Sequence, residues 1–281
     1  LAFTPTGGYF DTFTLAITAT NAEGSFNAGK VVSFALADGD DLELGDGLAN
    51  RFLFKSVAGS ATVDAGTGLD TLVIADGADH GLDFSDQAQQ IVAGDGGVTW
   101  RGFENLEAST ASGDLAVVLG AGTTAIATGA GDDDIAWRAV QATVDAGAGR
   151  DTLRLDPALL GDPATSAALT VNLALANANQ VSAGGVAGAA WRNFEDLQAA
   201  DWDRNLTVTA NAGGSDIATG SGADSVTLGA GADQVTTGAG ADRVVGVIGA
   251  ADAIALGAGD DTATWAASAQ GSVDGGADTD T

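Results

Sequence analysis

The strongest chemical signal in this sequence is a set of aspartates at near-constant spacing. Asp224, Asp233, Asp242, Asp252 and Asp261 stand 9, 9, 10 and 9 residues apart, and Asp216 precedes them by 8 in a degraded loop, NAGGSD. Four of the five close a Gly-x-Gly-x-Asp phrase, whose glycines are Gly220 and Gly222, Gly229 and Gly231, Gly238 and Gly240, and Gly257 and Gly259. Carboxylates and loop carbonyls are hard oxygen donors. With no Cys and a single His in the chain, metals that seek nitrogen or sulfur are excluded. A hard cation with six to eight oxygen ligands fits, and calcium accepts a mixture of carboxylate and carbonyl better than magnesium does. If the units stack as strands about 4.8 Å apart, the loop aspartates stand above one another and repel unless a cation lies between them.

The elements that must hold these aspartates are short. Two residues after each Asp comes an apolar position, Val226, Val235, Val244, Ile254 and finally Ala263, which predicts a three-residue strand with one inward side chain. Glycine suits loop backbone with φ > 0 and turns carbonyls inward. A flexible acidic linker would keep no such apolar register.

With its loops and strands in this order, the tract from Thr219 to Thr264 resembles the RTX (repeats-in-toxin) family, whose nonapeptide G-G-x-G-x-D-x-U-x it follows with Thr or Leu in the first position. The resemblance implies an all-β fold, a parallel β-roll or β-helix solenoid in which two nonapeptides form one 18-residue coil and Ca2+ lies between loops stacked on the same side. It further implies ions shared between Asp224 and Asp242, Asp242 and Asp261, and Asp233 and Asp252. The isolated loops keep the same length: Asp133 (with Gly129 and Gly131) stands 18 residues before Asp151 (with Gly147 and Gly149), and Asp261 stands 19 before Asp280. Calcium is expected between both pairs. Asp70 is expected to pair with the loop at Asn50, and either Asp40 or Asp41 supplies a further ligand. LGAGTTAIA carries Thr124 where Asp belongs and should stack without a full metal site.

A longer repeat frames these loops. ATVDAGTGLDTLVI (from Ala61) recurs as ATVDAGAGRDTLRL (from Ala142), and TWRGFENLEA (from Thr99) as AWRNFEDLQA (from Ala190). This predicts a β-rich opening segment at residues 1–33, a first superrepeat at 34–137 and a second at 138–281. SVDGGADTDT, from Ser272, opens a third copy, so a longer array is expected. Short turns at Asp156-Pro157 and Asp162-Pro163 mark an excursion. Phe103-Glu104 and Phe194-Glu195 are expected to alternate inward and outward, with Arg101 and Arg192 pairing with neighbouring carboxylates. Trp100, Trp137, Trp191, Trp202 and Trp265 each follow a strand and are predicted to close the core.

Composition narrows the function classes. The chain has 281 residues, 45% hydrophobic, with 42 Gly, 38 Asp+Glu against 10 Lys+Arg, and a net charge of -28. That is enough for a core, and it excludes nucleic acid as a partner. No 18-residue apolar run is present, so no membrane insertion by a helix is expected. His80 is the only His, which leaves no zinc-protease motif; with no Cys and no G-x-S-x-G either, no nucleophilic triad is apparent and no enzyme is expected. Such a chain repels itself without metal and compacts with it, which points outside the cell.

The alternation of nonapeptide tracts with VDGG-x-G-x-DTL and F-E-x-L elements is similar to the RTX-type surface-layer proteins of Gram-negative bacteria. That resemblance implies an extracellular, self-assembling structural protein ordered by calcium, leaving by type I secretion. Its expected partners are copies of itself and cell-surface polysaccharide. A segment of a secreted adhesin, or the secretion and folding module of an RTX enzyme, are the alternatives.

Overall fold

In a computed structural model the chain is described over residues 41–43, 49–54, 62–93, 98–137, 142–155, 169–175, 178–183, 190–248, 251–265 and 271–281. The opening segment 1–33, Asp40 and the two Asp-Pro turns lie outside these residues. Every described element is a strand of three or four residues, and no helix occurs among them. The protein is all-β.

Pairing is almost wholly parallel; it skips one strand along the nonapeptide tracts and three at the joints between them, where for example Thr71–Val73 pairs with Asn105–Glu107. Asp134–Trp137 pairs with Thr152–Leu155, while the intervening Thr143–Asp145 pairs with Ala125–Ala127 in another sheet. In the nonapeptide tract Ser225–Thr227 pairs with Arg243–Gly246, and Gln234–Thr236 with Ala253–Ala255. Along these tracts the chain therefore visits two sheets in turn and returns to each after 18 or 19 residues. The apolar position of each unit points between them: Val226, Val235, Val244 and Ile254 are all at most 2% exposed. Each such side chain contributes about 1.5–3 kcal/mol of burial.

Four sheets share this work and are handed over along the chain. A three-stranded sheet ends at Thr99–Arg101, and a six-stranded one ends at Ala190–Arg192. Before each ending a new sheet has begun with the only antiparallel pairs described, His80–Asp83 with Ile91–Ala93 and Leu169–Asn172 with Val181–Ala183. One device recurs at both handovers. The buried Gln180 amide donates to Leu173 O (3.1 Å) and Phe194 O (2.9 Å) and accepts from Phe194 N (2.8 Å). Gln90 grips Phe103 likewise, with both contacts at 2.8 Å. The expected arginine pairs are present too, Arg101 with Asp64 at 2.8 Å and Arg192 with Asp145 at 2.7 Å.

Aromatic rings fill the same joints. Trp100 packs against Phe54 and Phe103, Trp191 stacks on Phe194, and Trp137 meets Trp202 edge-on at 6.2 Å. Four tryptophans are buried as predicted, but Trp265 is 46% exposed. It lies on Thr262–Trp265, the outermost strand of its sheet, where no further described strand covers it.

Replacing Gln180 by Leu keeps the volume but strands the Phe194 amide and two carbonyls in a dry core. The expected loss is about 2–4 kcal/mol, read as a lower denaturation midpoint at unchanged slope.

Candidate metal centre

The loop aspartates form ladders, each rung a hydrogen bond between neighbouring turns. Because every strand begins one residue after its Asp, parallel pairing in register stacks the aspartates. The carboxylate Oδ1 of one accepts the backbone N–H of the other, one turn back: Asp242 from Asp224 (2.8 Å), Asp261 from Asp242 (2.8 Å), and Asp280 from Asp261 (3.2 Å). On the facing sheet Asp252 accepts from Asp233 (2.9 Å), and Asp151 from Asp133 (2.9 Å). Asp70 accepts from Asn50 at 2.7 Å. The aspartates expected to stand one coil apart are joined by these hydrogen bonds. Asp41 begins the strand Asp41–Glu43.

The ladders extend past the aspartates. Asp133 accepts from Leu115, Asp224 from Leu206 and Asp233 from Ser215. Here the structure departs from the sequence reading: Ser215, fully buried, holds the rung assigned to Asp216. Asp216 sits one residue further on, exposed at the start of Asp216–Ala218, with its N–H donated to Asp196 Oδ1 at 2.7 Å. The short spacing of 8 is the cause, because it shifts this carboxylate off the loop and onto the outer face of the strand.

Two glutamates take rungs that sequence reasoning gave to structure alone. Glu104 Oε2 accepts the Asp70 N–H (2.8 Å), and Glu195 Oε2 accepts the Asp151 N–H (2.9 Å). In return each glutamate's own amide donates to the carbonyl of that aspartate. The recurrence of F-E-x-L in both superrepeats was the available signal. Thr124, as expected, sits in the same column without a carboxylate, its hydroxyl donating to Asn105 Oδ1 at 2.6 Å.

The glycines are needed mainly for close approach. A Cβ on Gly220 would lie 1.9 Å from Trp202 O, and one on Gly147 2.2 Å from Gly129 O. Positive φ is confined to part of the set: Gly147 (93°) and Gly149 have it, as do Gly238, Gly240, Gly257 and Gly259. At Gly129, Gly131, Gly220, Gly222, Gly229 and Gly231 the stacked backbone alone excludes a side chain.

The second carboxylate oxygen is what makes these columns chemically unusual. Oδ2 of Asp133, Asp151, Asp224, Asp242 and Asp261 is buried with no hydrogen-bond partner. The Thr128 and Thr219 hydroxyls lie near Asp133 and Asp224 and oppose the effect of burial on those carboxyls. Their protons are given elsewhere, however, to Ala146 O (2.6 Å) and Thr237 O (2.8 Å). Asp233 differs, its Oδ2 accepting from Gly229 N at 2.9 Å. An unsatisfied buried carboxylate oxygen is costly.

The electrostatics follow. Burial pushes the Asp151 carboxyl up to about 8, helped by the charges of Asp133, Glu195 and Asp132 and opposed by the Asp133 amide. Burial also raises Asp133, Asp224, Asp233 and Asp242, with the neighbouring rungs Asp224 and Asp261 adding to the rise at Asp242. Glu104 and Glu195 are raised for the same first reason. Among the described residues no three His, Asp or Glu side chains converge at metal-ligand spacing. Carboxylates meet in pairs, so a cation in the ladder would need loop carbonyls for most of its ligands. The donor set is oxygen throughout, and the orphaned Oδ2 atoms suit a hard cation.

No family model matches the chain, and no curated protein matches it.

Two outcomes are expected. A carboxyl whose folded pKa lies above its unfolded value near 4 stabilises the fold fully below that pH, and the contribution is lost as pH rises through about 8 for Asp151. In chelator, the chain should therefore resist denaturant better at pH 5 than at pH 8. Gly147→Ala, with its positive φ and its carbonyl contact, should cost about 1–3 kcal/mol or more, measured the same way.

Proposed function

We propose that this chain is a calcium-binding structural segment of an extracellular, bacterial cell-surface protein of RTX type. In this reading the alternating parallel strands are a β-solenoid whose turns are ordered by Ca2+. The carrying observation is the ladder itself: stacked aspartates with one oxygen spent on the preceding turn's amide and the other buried without a donor. The residues that would hold the ions are the ladder aspartates Asp133 with Asp151, Asp224 with Asp242, Asp242 with Asp261, Asp233 with Asp252, and Asp261 with Asp280, together with loop carbonyls of the flanking Gly-x-Gly phrases. Bound calcium would supply positive charge between carboxylates that otherwise repel.

The chain's own part is to present those oxygens. The inward Val and Ile positions fix the turn, the glycines let loops approach, and the Oδ1 rung sets each carboxylate's orientation. At a net charge of -28 the metal-free chain is held apart by its own field. Extracellular calcium modules bind at about 10⁻⁴–10⁻³ M, a range in which secretion into a calcium-rich medium turns folding on. Self-assembly into a layer or filament is the biological end this reading gives to the ordered chain.

Electron microscopy of the protein in millimolar calcium, beside a chelated control, tests it. Ordered sheets or filaments only with calcium support the structural role; dispersed particles that still need calcium to fold move the assignment to an adhesin or an enzyme's module. Asp242→Asn supplies a sharper check, because Asn keeps the Oδ1 acceptor for Asp224 but removes a charge from two consecutive pairs. The variant should be at least as stable as the parent in chelator. In calcium it should be less stable, with a less cooperative calcium transition by circular dichroism.

A further inference from the structure

The loops carry a second set of rungs, outside the first and running the other way. Here the residue just before a ladder position reaches forward, and its Oδ1 accepts an N–H from the next turn: Asp79 from Asp114 (2.9 Å), Asp114 from Asp132 (2.8 Å), Asp132 from Arg150 (2.8 Å) and Asp260 from Thr279 (3.1 Å). Asn205 Oδ1 does the same, accepting from Ala223 N at 2.9 Å. All five side chains belong to exposed residues. One oxygen is all this bond requires, and at the other four positions an aspartate supplies it. The Nδ2 group of Asn205 therefore has no part in the rung. With Oδ1 fixed as the acceptor by the Ala223 N–H, Nδ2 keeps its two donors and has no partner among the described residues.

Asn205 also opens the triplet Asn205-Leu206-Thr207, and none of the other nine asparagines has Ser or Thr two residues on. Asn-x-Ser/Thr, with x not proline, is the acceptor phrase for asparagine-linked glycans, and it needs a surface position. The fold supplies one. Asn205 stands in the loop ahead of the strand Leu206–Thr209, and Thr207 is exposed on that strand.

We infer that Asn205 is a modification site whose Nδ2 carries a covalently linked glycan. In the transfer Nδ2 bonds to the anomeric carbon of a glycosyl diphosphate donor, and the bond from that carbon to the diphosphate oxygen breaks. The diphosphate leaves with the electron pair, and Nδ2 gives one of its protons to a base of the transferase. The donor is held by that enzyme, so the acidic chain itself binds no anion. The sugar hangs from an atom the fold does not use, and the rung to Ala223 survives. Once folded, however, the triplet is closed to a transferase. Leu206 is 1% exposed and gives its N–H to Asp224 Oδ1 at 2.7 Å, while Thr207 is paired on both sides, with Thr170 and Ser225. An enzyme that must grip the backbone and the Thr hydroxyl together reaches them only in the unfolded chain, so modification precedes folding. That order of events rests on the calcium reading, in which calcium times the folding; the site itself does not.

Mass spectrometry of the protein purified from the cells that make it reads the site. The peptide spanning Asn205 should carry a glycan; finding that peptide only unmodified overturns the inference. A single hexose identifies a nucleotide-sugar donor, and a preassembled oligosaccharide a lipid-linked one. Thr207→Ala should abolish the modification with Asn205 still in place, and a glycan that persists in this variant overturns the assignment. Asn205→Asp should abolish it while keeping the rung, so its denaturation midpoint should match that of the unglycosylated parent. A large loss of stability there would mean that Nδ2 serves the fold, which also overturns the inference. Unmodified chain given a soluble asparagine glucosyltransferase and UDP-glucose should react several-fold faster in chelator than in calcium; equal rates overturn the order of events. Circular dichroism of the same two samples shows whether calcium drives folding, which tells a failed calcium reading from a failed site.

Discussion

One hydrogen bond, from a backbone N–H to the Oδ1 of the aspartate one turn ahead, fixes what the rest of the structure can be. It demands that strands pair in parallel and in register, because only then does each loop carboxylate reach the preceding loop's amide. It demands glycine around it, since the loops it joins come within contact distance of one another's carbonyls. It also buries a charged group whose other oxygen has nothing to bind. Stability and chemistry are thus opposed at the same atom, and the apolar core between the sheets carries the fold against that opposition.

The fold was legible because its signals are periodic. An apolar residue two after each Asp gave the strands, and the 18-residue coil that the family resemblance implies placed Asp133 beside Asp151, Asp242 beside Asp224, and Asp261 beside Asp242 and Asp280. What escaped the sequence were the positions where the period breaks. Asp216 follows an interval of 8, and parallel register moved its rung to Ser215. Glu104 and Glu195 lie outside any Gly-x-Gly phrase; their side chains reach the ladder only because the F-E-x-L strands stack on the DTL strands. Trp265 shares its local sequence context with Trp137 yet lacks a Trp202 across from it, a difference no local motif encodes.

The handovers give the long repeat a physical meaning. Each begins with an antiparallel hairpin, is gripped by a buried glutamine, and closes with a Trp-Arg-x-Phe-Glu segment that ends one sheet and caps a ladder with glutamate. The nonapeptides between handovers do one job, and the handovers do another. Aromatic side chains concentrate at the second and are nearly absent from the first.

The ten-residue unit GVIGAADAIA shows how forgiving the nonapeptide part is. Its extra residue leaves Val247 out in solvent, 59% exposed, while the rungs on either side keep their lengths at 2.8 and 2.9 Å. A turn defined by its neighbours alone can be duplicated or lost without redesigning anything distant. In the β-solenoid proposed above, copy number then becomes a heritable dial on molecular length, each pair of repeats adding about 4.8 Å, so that descendants of one gene can span different distances with the same parts.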